Sequence, residues 1–337
     1  MLLCLSMEKP ERSCVILSGL NLDDVEEVVR EAYHRDGSPG RPPRKPMGVF
    51  KALIVKRLQQ VPSDRELYRR LWNDADMREL CDLEAEQKPY HPSQLTRFRN
   101  RIGTKRLEKI MKKMIRRLLR GGVISGETVV MDATFIKAYS KRDPHENSRG
   151  SSDPDARVGR NGKTYDLGYK VHVAADAKSD LPLALVTAPA NENEKKHASK
   201  LLDKASKATK RRLKTLVADS QYSSRRLRNQ TAAHGVRPVI PYPANQRRRE
   251  RGLLRVDKHF RTHGPADERR IYRHRSAVER VNSRLKEQLS LNKHRVRGLK
   301  NVAVHALLCV IAMLLTALAA LSLKRAEKAR SITLLGR

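Results

Sequence analysis

The chain has 337 residues, with 71 Lys and Arg against 37 Asp and Glu and a formal charge of +34. An apolar fraction of 39% supplies a core but excludes a polytopic membrane protein, and 4% aromatics excludes a surface built mainly to stack single-stranded bases. So much self-repulsion gives a fold nothing, so the charge points to a polyanionic partner: nucleic acid first, an anionic membrane surface second. Cys4, Cys14, Cys81 and Cys309 are scattered, with no CxxC and no His at zinc-ligand spacing, and read as reduced thiols. Met1–Ser6 is too short for a secretory h-region and has no basic flank, so the expected location is cytoplasmic, at the nucleoid.

The length suggests about two domains. The N-terminal third reads as helical. Leu22–Tyr33 is a charged helix, and Asp36–Pro46 (DGSPGRPPRKP) is rich in Gly and Pro and forms a linker. The linker is a solvated hinge or, on the sharper reading, a cationic arm that lays Arg41 in a DNA minor groove. From Gly48 the helical pattern resumes. Ser63-x-x-Glu66 is a capping box that opens the helix Asp64–Trp72. Pro92-Ser93 starts a short basic helix over Gln94–Ile102, which carries Arg97 and Arg99. Gly103 ends it, and Thr104 caps a long basic helix over Lys105–Arg120. Short helices with a basic last member are compatible with helix-turn-helix docking on DNA and equally with a solvated face.

After Gly122 the pattern changes. Glu127–Ala138, Gly168–Ala175, Leu181–Thr187, Lys214–Ala218 and Val236–Pro241 read as strands, with helices at Asn193–Lys210 and Ser224–His234. The polar stretch Ser140–Lys163 has no periodicity and reads as a flexible loop, and Asn245–His263 reads as a very basic loop. Helices follow from about Asp267. Three strands joined by short turns make an antiparallel meander, and later strands alternating with helices add in parallel. This order matches the ribonuclease H-like fold, a mixed five-stranded sheet with helices on both sides. Val302–Leu323 is almost wholly apolar and long enough to span a bilayer; the other reading is a helix buried in a core.

Two carboxylates stand out. Asp132 sits within the first strand and Asp219 ends the fourth. Either alone is more often a strand-end cap or ion-pair partner. In a ribonuclease H-like sheet the first and fourth strands are neighbours, so the two acids meet, and two close anions invite a divalent cation. Further on, Tyr272, Arg275, Glu279 and Lys286 fall on one helical stripe. An ordinary salt-bridged face explains Arg275 and Glu279, at i, i+4, but not the row ending in Lys286. Two Asp and a Glu around two Mg²⁺ or Mn²⁺ ions are the parts that phosphoryl transfer on DNA needs, without a covalent enzyme nucleophile. Tyr272 could be such a nucleophile, but its spacing to Glu279 favours DNA contact.

The pattern Tyr-x2-Arg-x3-Glu-x6-Lys resembles the signature of the insertion-sequence DDE transposases of bacteria and archaea, and Tyr272, Arg275, Glu279 and Lys286 match every position. Met131-Asp132-Ala133-Thr134 and Ala218-Asp219-Ser220-Gln221-Tyr222-Ser223 are similar to the family's two Asp blocks. Tyr169-Lys170-Val171-His172 and Thr187-Ala188-Pro189-Ala190-Asn191 resemble the strands between them. Gly40-Arg41-Pro42-Pro43 and Pro92–Arg99 resemble its helical DNA-binding domain. Gln221 departs from the family's small residue, Gly or Ala. The short span before Glu279 resembles the compact branch, which lacks a large β-insertion.

The resemblance implies cleavage at terminal inverted repeats and joining of the freed 3′-hydroxyl to target DNA. It makes Asp132, Asp219 and Glu279 the ligands of two Mg²⁺ or Mn²⁺ ions. Arg275 and Lys286 would hold phosphates, and Tyr272 the transferred DNA backbone; Arg41, Arg97 and Arg99 are further candidate DNA contacts. Double-stranded DNA, as element ends and target, is the expected partner, and bridging two ends implies a homodimer. The expected division is 1–46, a helix and linker; 47–121, a helical DNA-binding domain; 122–325, a ribonuclease H-like catalytic domain whose C-terminal helices pack on the sheet; and 326–337, a basic tail. Two other readings remain: a DNA-binding protein of transposase descent that no longer cuts, and a basic protein anchored in a membrane by Val302–Leu323.

Overall fold

The computed structural model describes residues 12–33, 44–243 and 266–332. Arg41 and the basic stretch 245–263 lie outside the described residues. The chain divides into two compact units. One holds the residues up to Gly121, Arg284–Val296 and those from Lys300; the other holds Gly122–Ser283 with Arg297–Leu299.

The first unit is helical: α1 (Arg12–Leu17), α2 (Asp23–Glu31), α3 (Pro46–Leu58), α4 (Asp64–Asn73), α5 (Ala75–Leu80) and α6 (Pro92–Arg120). The expected cap opens α4, where the Ser63 side chain accepts from the Glu66 N–H. His91 and Gln94 form a reciprocal capping box that starts α6. Gly103 breaks α6 with φ 60° and ψ 180°, a conformation that only glycine adopts without strain.

The apolar C-terminal helix, Leu299–Ser322 and called α11 below, falls in the helical unit except for its first residue. Of its most apolar window 94% is buried, which is the state of a core helix and leaves no apolar face for lipid. Its polar group His305 is met by the Leu291 carbonyl and by the buried Arg57, at 3.2 and 3.3 Å.

The second unit is built on β1 (Thr128–Lys137), β2 (Arg157–Asn161), β3 (Thr164–Asp176), β4 (Leu181–Pro189), β5 (Thr215–Ala218) and β6 (Arg237–Val239), with α7 (Glu194–Ala208) and α8 (Arg225–Ala233) between the later strands. Across the sheet, β3, β1, β5 and β6 follow one another, and β4 and β2 share the outer edge of β3. β1, β3 and β4 are antiparallel, while β5 and β6 run parallel to β1. This is the ribonuclease H-like order. It has one strand more than expected: β2 lies inside the stretch read as loop. Its sequence Arg-Val-Gly-Arg-Asn has no apolar alternation, and β3 supplies the pairing that its own pattern does not announce.

The sheet's apolar centre is Val129, Val130, Met131, Val173, Ala174, Leu216 and Val217, all fully buried. Beside it, the buried Asp176 is saturated with donors. It accepts from the Gly126 N–H (2.8 Å), the Ser125 hydroxyl (3.0 Å), and the Ser179 N–H and hydroxyl (2.9 and 2.7 Å). That acid is structural: it ties the start of β1 to the β3–β4 turn.

Candidate active site

The parallel ladder between β1 and β5 pairs Met131 with Ala218. Asp132 is the next residue on β1, and Asp219, still extended, is the first residue past β5. Adjacent strands lie about 4.8 Å apart, and equal steps along a parallel pair keep the side chains on one face. Two acids 87 positions apart in sequence are thus set side by side by one register.

α9 (Ala266–Tyr272) runs into a 3-10 turn, Arg273–Arg275, and then into α10 (Ser276–Glu287). The expected single helical stripe is therefore broken by a tighter turn. Three residues complete a 3-10 turn, so Tyr272 and Arg275 still align. The turn packs on both β1 and β5, which brings Arg275 to the two acids. The Arg275 guanidinium meets the Glu279 carboxylate at 3.0 Å, one helical turn on. Next in sequence, Arg280 grips the buried Asp180 with two hydrogen bonds of 2.8 Å and so fixes α10 to the β3–β4 turn.

The electrostatics follow from burial first and from this crowding second. Burial is the largest cause that pushes the Asp132 carboxyl up to about 6. Arg275 and the Ala133 N–H oppose it, and the charges of Asp219 and Glu279 add to it. Burial works against the Arg275 cation, but Asp132, Tyr272, Asp219 and Glu279 together hold its pKa above the usual value. Asp219 caps its own 3-10 turn, Ser220–Tyr222, by accepting from the Ser220 N–H and hydroxyl.

Three carboxylates converging on one arginine, at the edge of a ribonuclease H-like sheet, are matched by the sequence as a whole. Residues 125–315, more than half of the chain, match the family model described as Transposase DDE domain. The chain belongs to the DDE transposase family. Residues 7–101 match a second model, Transposase domain (DUF772). The chain is also similar to a solved piggyBac transposase synaptic complex with hairpin DNA, at 12% identity over 95% of this chain and 78% of that one, with a TM-score of 0.41. The Mos1 transposase paired-end complex with left transposon end is similar at 10% identity over 77% and 82%, with a TM-score of 0.24.

DDE transposases work with divalent metal ions, and the acids here suit one. All are hard oxygen donors; burial chiefly raises Asp132, the charges of Asp219 and Glu279 add to it, and a bound cation opposes both. Among the described residues, no three His, Cys, Asp or Glu side chains form a ready metal cage. Asp132 and Asp219 follow the paired residues Met131 and Ala218, and the Glu279 carboxylate is engaged by Arg275.

The remaining candidates are less alike than the sequence suggests. Tyr272 is 7% exposed and presents little surface to a phosphate. Lys286 is half-buried in the last turn of α10. Arg97 is exposed. Arg99 is committed to Asp64, at 2.6 Å, with only 11% of its side chain exposed, so it serves the helical core before any phosphate. Two residues near the acids lie within the motif blocks but are given no role by the sequence. His172 on β3 and Tyr222 after Asp219 are buried and share a hydrogen bond of 2.9 Å. The available signals are a histidine inside an alternating apolar strand and an aromatic three residues past Asp219.

Proposed function

We propose that this transposase cuts DNA strands at the terminal inverted repeats of its element and joins the freed 3′-hydroxyl to target DNA, with Asp132, Asp219 and Glu279 as ligands of two Mg²⁺ or Mn²⁺ ions. The observation that carries this reading is the β1–β5 register, which sets Asp132 beside Asp219, with Arg275 and Glu279 in electrostatic contact. Bound there, the ions would sharpen a water or 3′-hydroxyl as nucleophile and steady the departing 3′-oxygen. The chain's own groups do the rest. Asp132 and Asp219 hold their carboxylates on one face of adjacent strands. Arg275 neutralises the acids until DNA arrives and then turns to a phosphate, releasing Glu279 to the site. Lys286 holds a second phosphate along the same strand of DNA. In cleavage, the water oxygen bonds to phosphorus, the phosphorus–3′-oxygen bond breaks, and the 3′-oxygen takes up a proton. In joining, the 3′-hydroxyl oxygen replaces water as the attacking atom.

Arg97 and Arg41 are proposed as contacts to duplex DNA outside the chemistry. A homodimer is proposed because two ends must be held together. The test is strand cleavage on a duplex carrying the inverted repeats that flank the gene, with Mg²⁺, for wild type and for Asp132→Asn, Asp219→Asn and Glu279→Gln. Loss in all three variants with DNA binding kept supports the reading. Equal cutting by all four proteins overturns it. Wild-type binding without cutting favours a descendant that has lost the chemistry.

A further inference from the structure

His172 is fully buried, and its Nδ1 shares a 2.9 Å hydrogen bond with the hydroxyl of Tyr222, which is 1% exposed. The two rings meet edge to face, with centroids 6.1 Å apart and planes at 88°. Its Nε2 has no hydrogen-bond partner among the described residues, so the bond to Tyr222 is what holds the imidazole by a polar contact. The other neighbouring ring, His197 on α7, lies 4.8 Å away and is itself held by Glu192 at 2.7 Å, which leaves His172 little room to rotate.

The bond spans a particular gap. Tyr222 closes the 3-10 turn that Asp219 opens: its N–H bonds the Asp219 carbonyl at 2.9 Å. That turn follows β5, on one side of β1. His172 belongs to β3, on the other side, and its partner in β1 is Ala133, the residue after Asp132. A single hydrogen bond therefore ties the turn carrying one acid to the strand beyond the other. Among the described residues, the turn's other side-chain hydrogen bonds are local: Asp219 accepts from Ser220, and Ser223 accepts from Arg228.

We propose that His172 and Tyr222 are a positioning pair that fixes the distance between Asp219 and Asp132, so that a divalent ion finds both acids already in place. The proposal rests on the reading of Asp132 and Asp219 as metal ligands. Neither His172 nor Tyr222 touches the reacting atoms in this account; each acts through the turn. Partners that orient ligands from behind in this way change metal affinity by about 10- to 100-fold when removed.

The test is Mn²⁺ binding to the full-length protein without DNA, followed by the paramagnetic resonance of free Mn²⁺, with thermal melting of each variant alongside. Tyr222→Phe removes one oxygen and keeps the packed ring. His172→Leu removes the partner, and His172→Gln keeps an acceptor oxygen. Tyr222→Phe and His172→Leu are expected to raise the half-saturating Mn²⁺ concentration about 10-fold. The double variant should be no worse than either single one. His172→Gln should recover most of the affinity. If Asp219→Asn weakens Mn²⁺ binding while Tyr222→Phe and His172→Leu bind as wild type does, the positioning role is wrong and the site stands. If Asp219→Asn itself binds Mn²⁺ like wild type, the site assignment fails first and this proposal with it.

Discussion

The helical unit and the sheet unit each bury an aspartate beside an arginine, with opposite results. In the helical unit, burial would lift the Asp64 carboxyl, but Arg99 and Lys56 override it and hold the pKa down at about 2. In the sheet unit burial is the larger effect: Arg275 and the Ala133 N–H oppose it without overriding it, the charges of Asp219 and Glu279 add to it, and Asp132 rises to about 6. Asp64 is one acid among cations, a finished ion-pair network. Asp132 is one of three acids around a single arginine, short of positive charge. The first arrangement is glue; the second is strained until a cation joins it. Asp176, buried with donors on both oxygens, shows that the sheet can also bury an acid at rest when no site is intended.

The largest expected effect follows from that contrast. Asp132→Asn should lower strand cleavage on the order of 10³-fold, measured by single-turnover kinetics. Asp64→Asn should leave Mn²⁺ half-saturation unchanged.

Stability should move in the opposite sense. The folded Asp132 carboxyl titrates above its unfolded value near 3.8, so its ionisation costs stability. Stability tied to this group is present below about pH 4 and lost as pH rises through 6. Asp132→Asn should thus raise the melting temperature of the metal-free protein at pH 8, by about 2 kcal/mol or a few degrees. The gain should vanish near pH 4. Asp64 is the reverse: its contribution is present above about pH 4 and lost as pH falls towards 2. Asp64→Asn removes the carboxylate that Arg99 and Lys56 share, so it should lower the melting temperature at pH 8 by about 2 kcal/mol. Equal shifts in both variants would break the contrast.

Smaller effects concern DNA. Between residues 225 and 300 the sequence carries 22 Lys and Arg against 6 Asp and Glu. Duplex binding should therefore weaken steeply with salt, with a log–log slope steeper than about −4. A flat response would detach the charge from the DNA backbone. The smallest expected effect separates two arginines of α6. Arg97→Ala should weaken duplex binding a few-fold and leave melting unchanged, whereas Arg99→Ala should chiefly destabilise the helical unit.

How much of this the sequence shows depends on locality. Asp132 and Asp219 are legible because each interrupts a run of strand formers, and their meeting follows from strand order alone. The Ser63 cap and the break at Gly103 are local too, and each appears where its residues place it. β2 is hidden because its pairing is supplied by β3 and not by its own pattern. The home of α11 is hidden because an all-apolar helix says that it is buried but not among what. The pairing of Arg99 with Asp64, and of His172 with Tyr222, joins residues whose meeting only the folded chain decides.

The central claim is that Asp132 and Asp219 form one site that wants a cation. The most direct measurement is the melting temperature of the metal-free protein at pH 8, with and without Mn²⁺, for wild type and Asp132→Asn. The account expects Asp132→Asn to melt higher than wild type without metal and to gain nothing from Mn²⁺, while wild type gains several degrees. A variant that melts lower than wild type without metal, and gains as much from Mn²⁺, would contradict it.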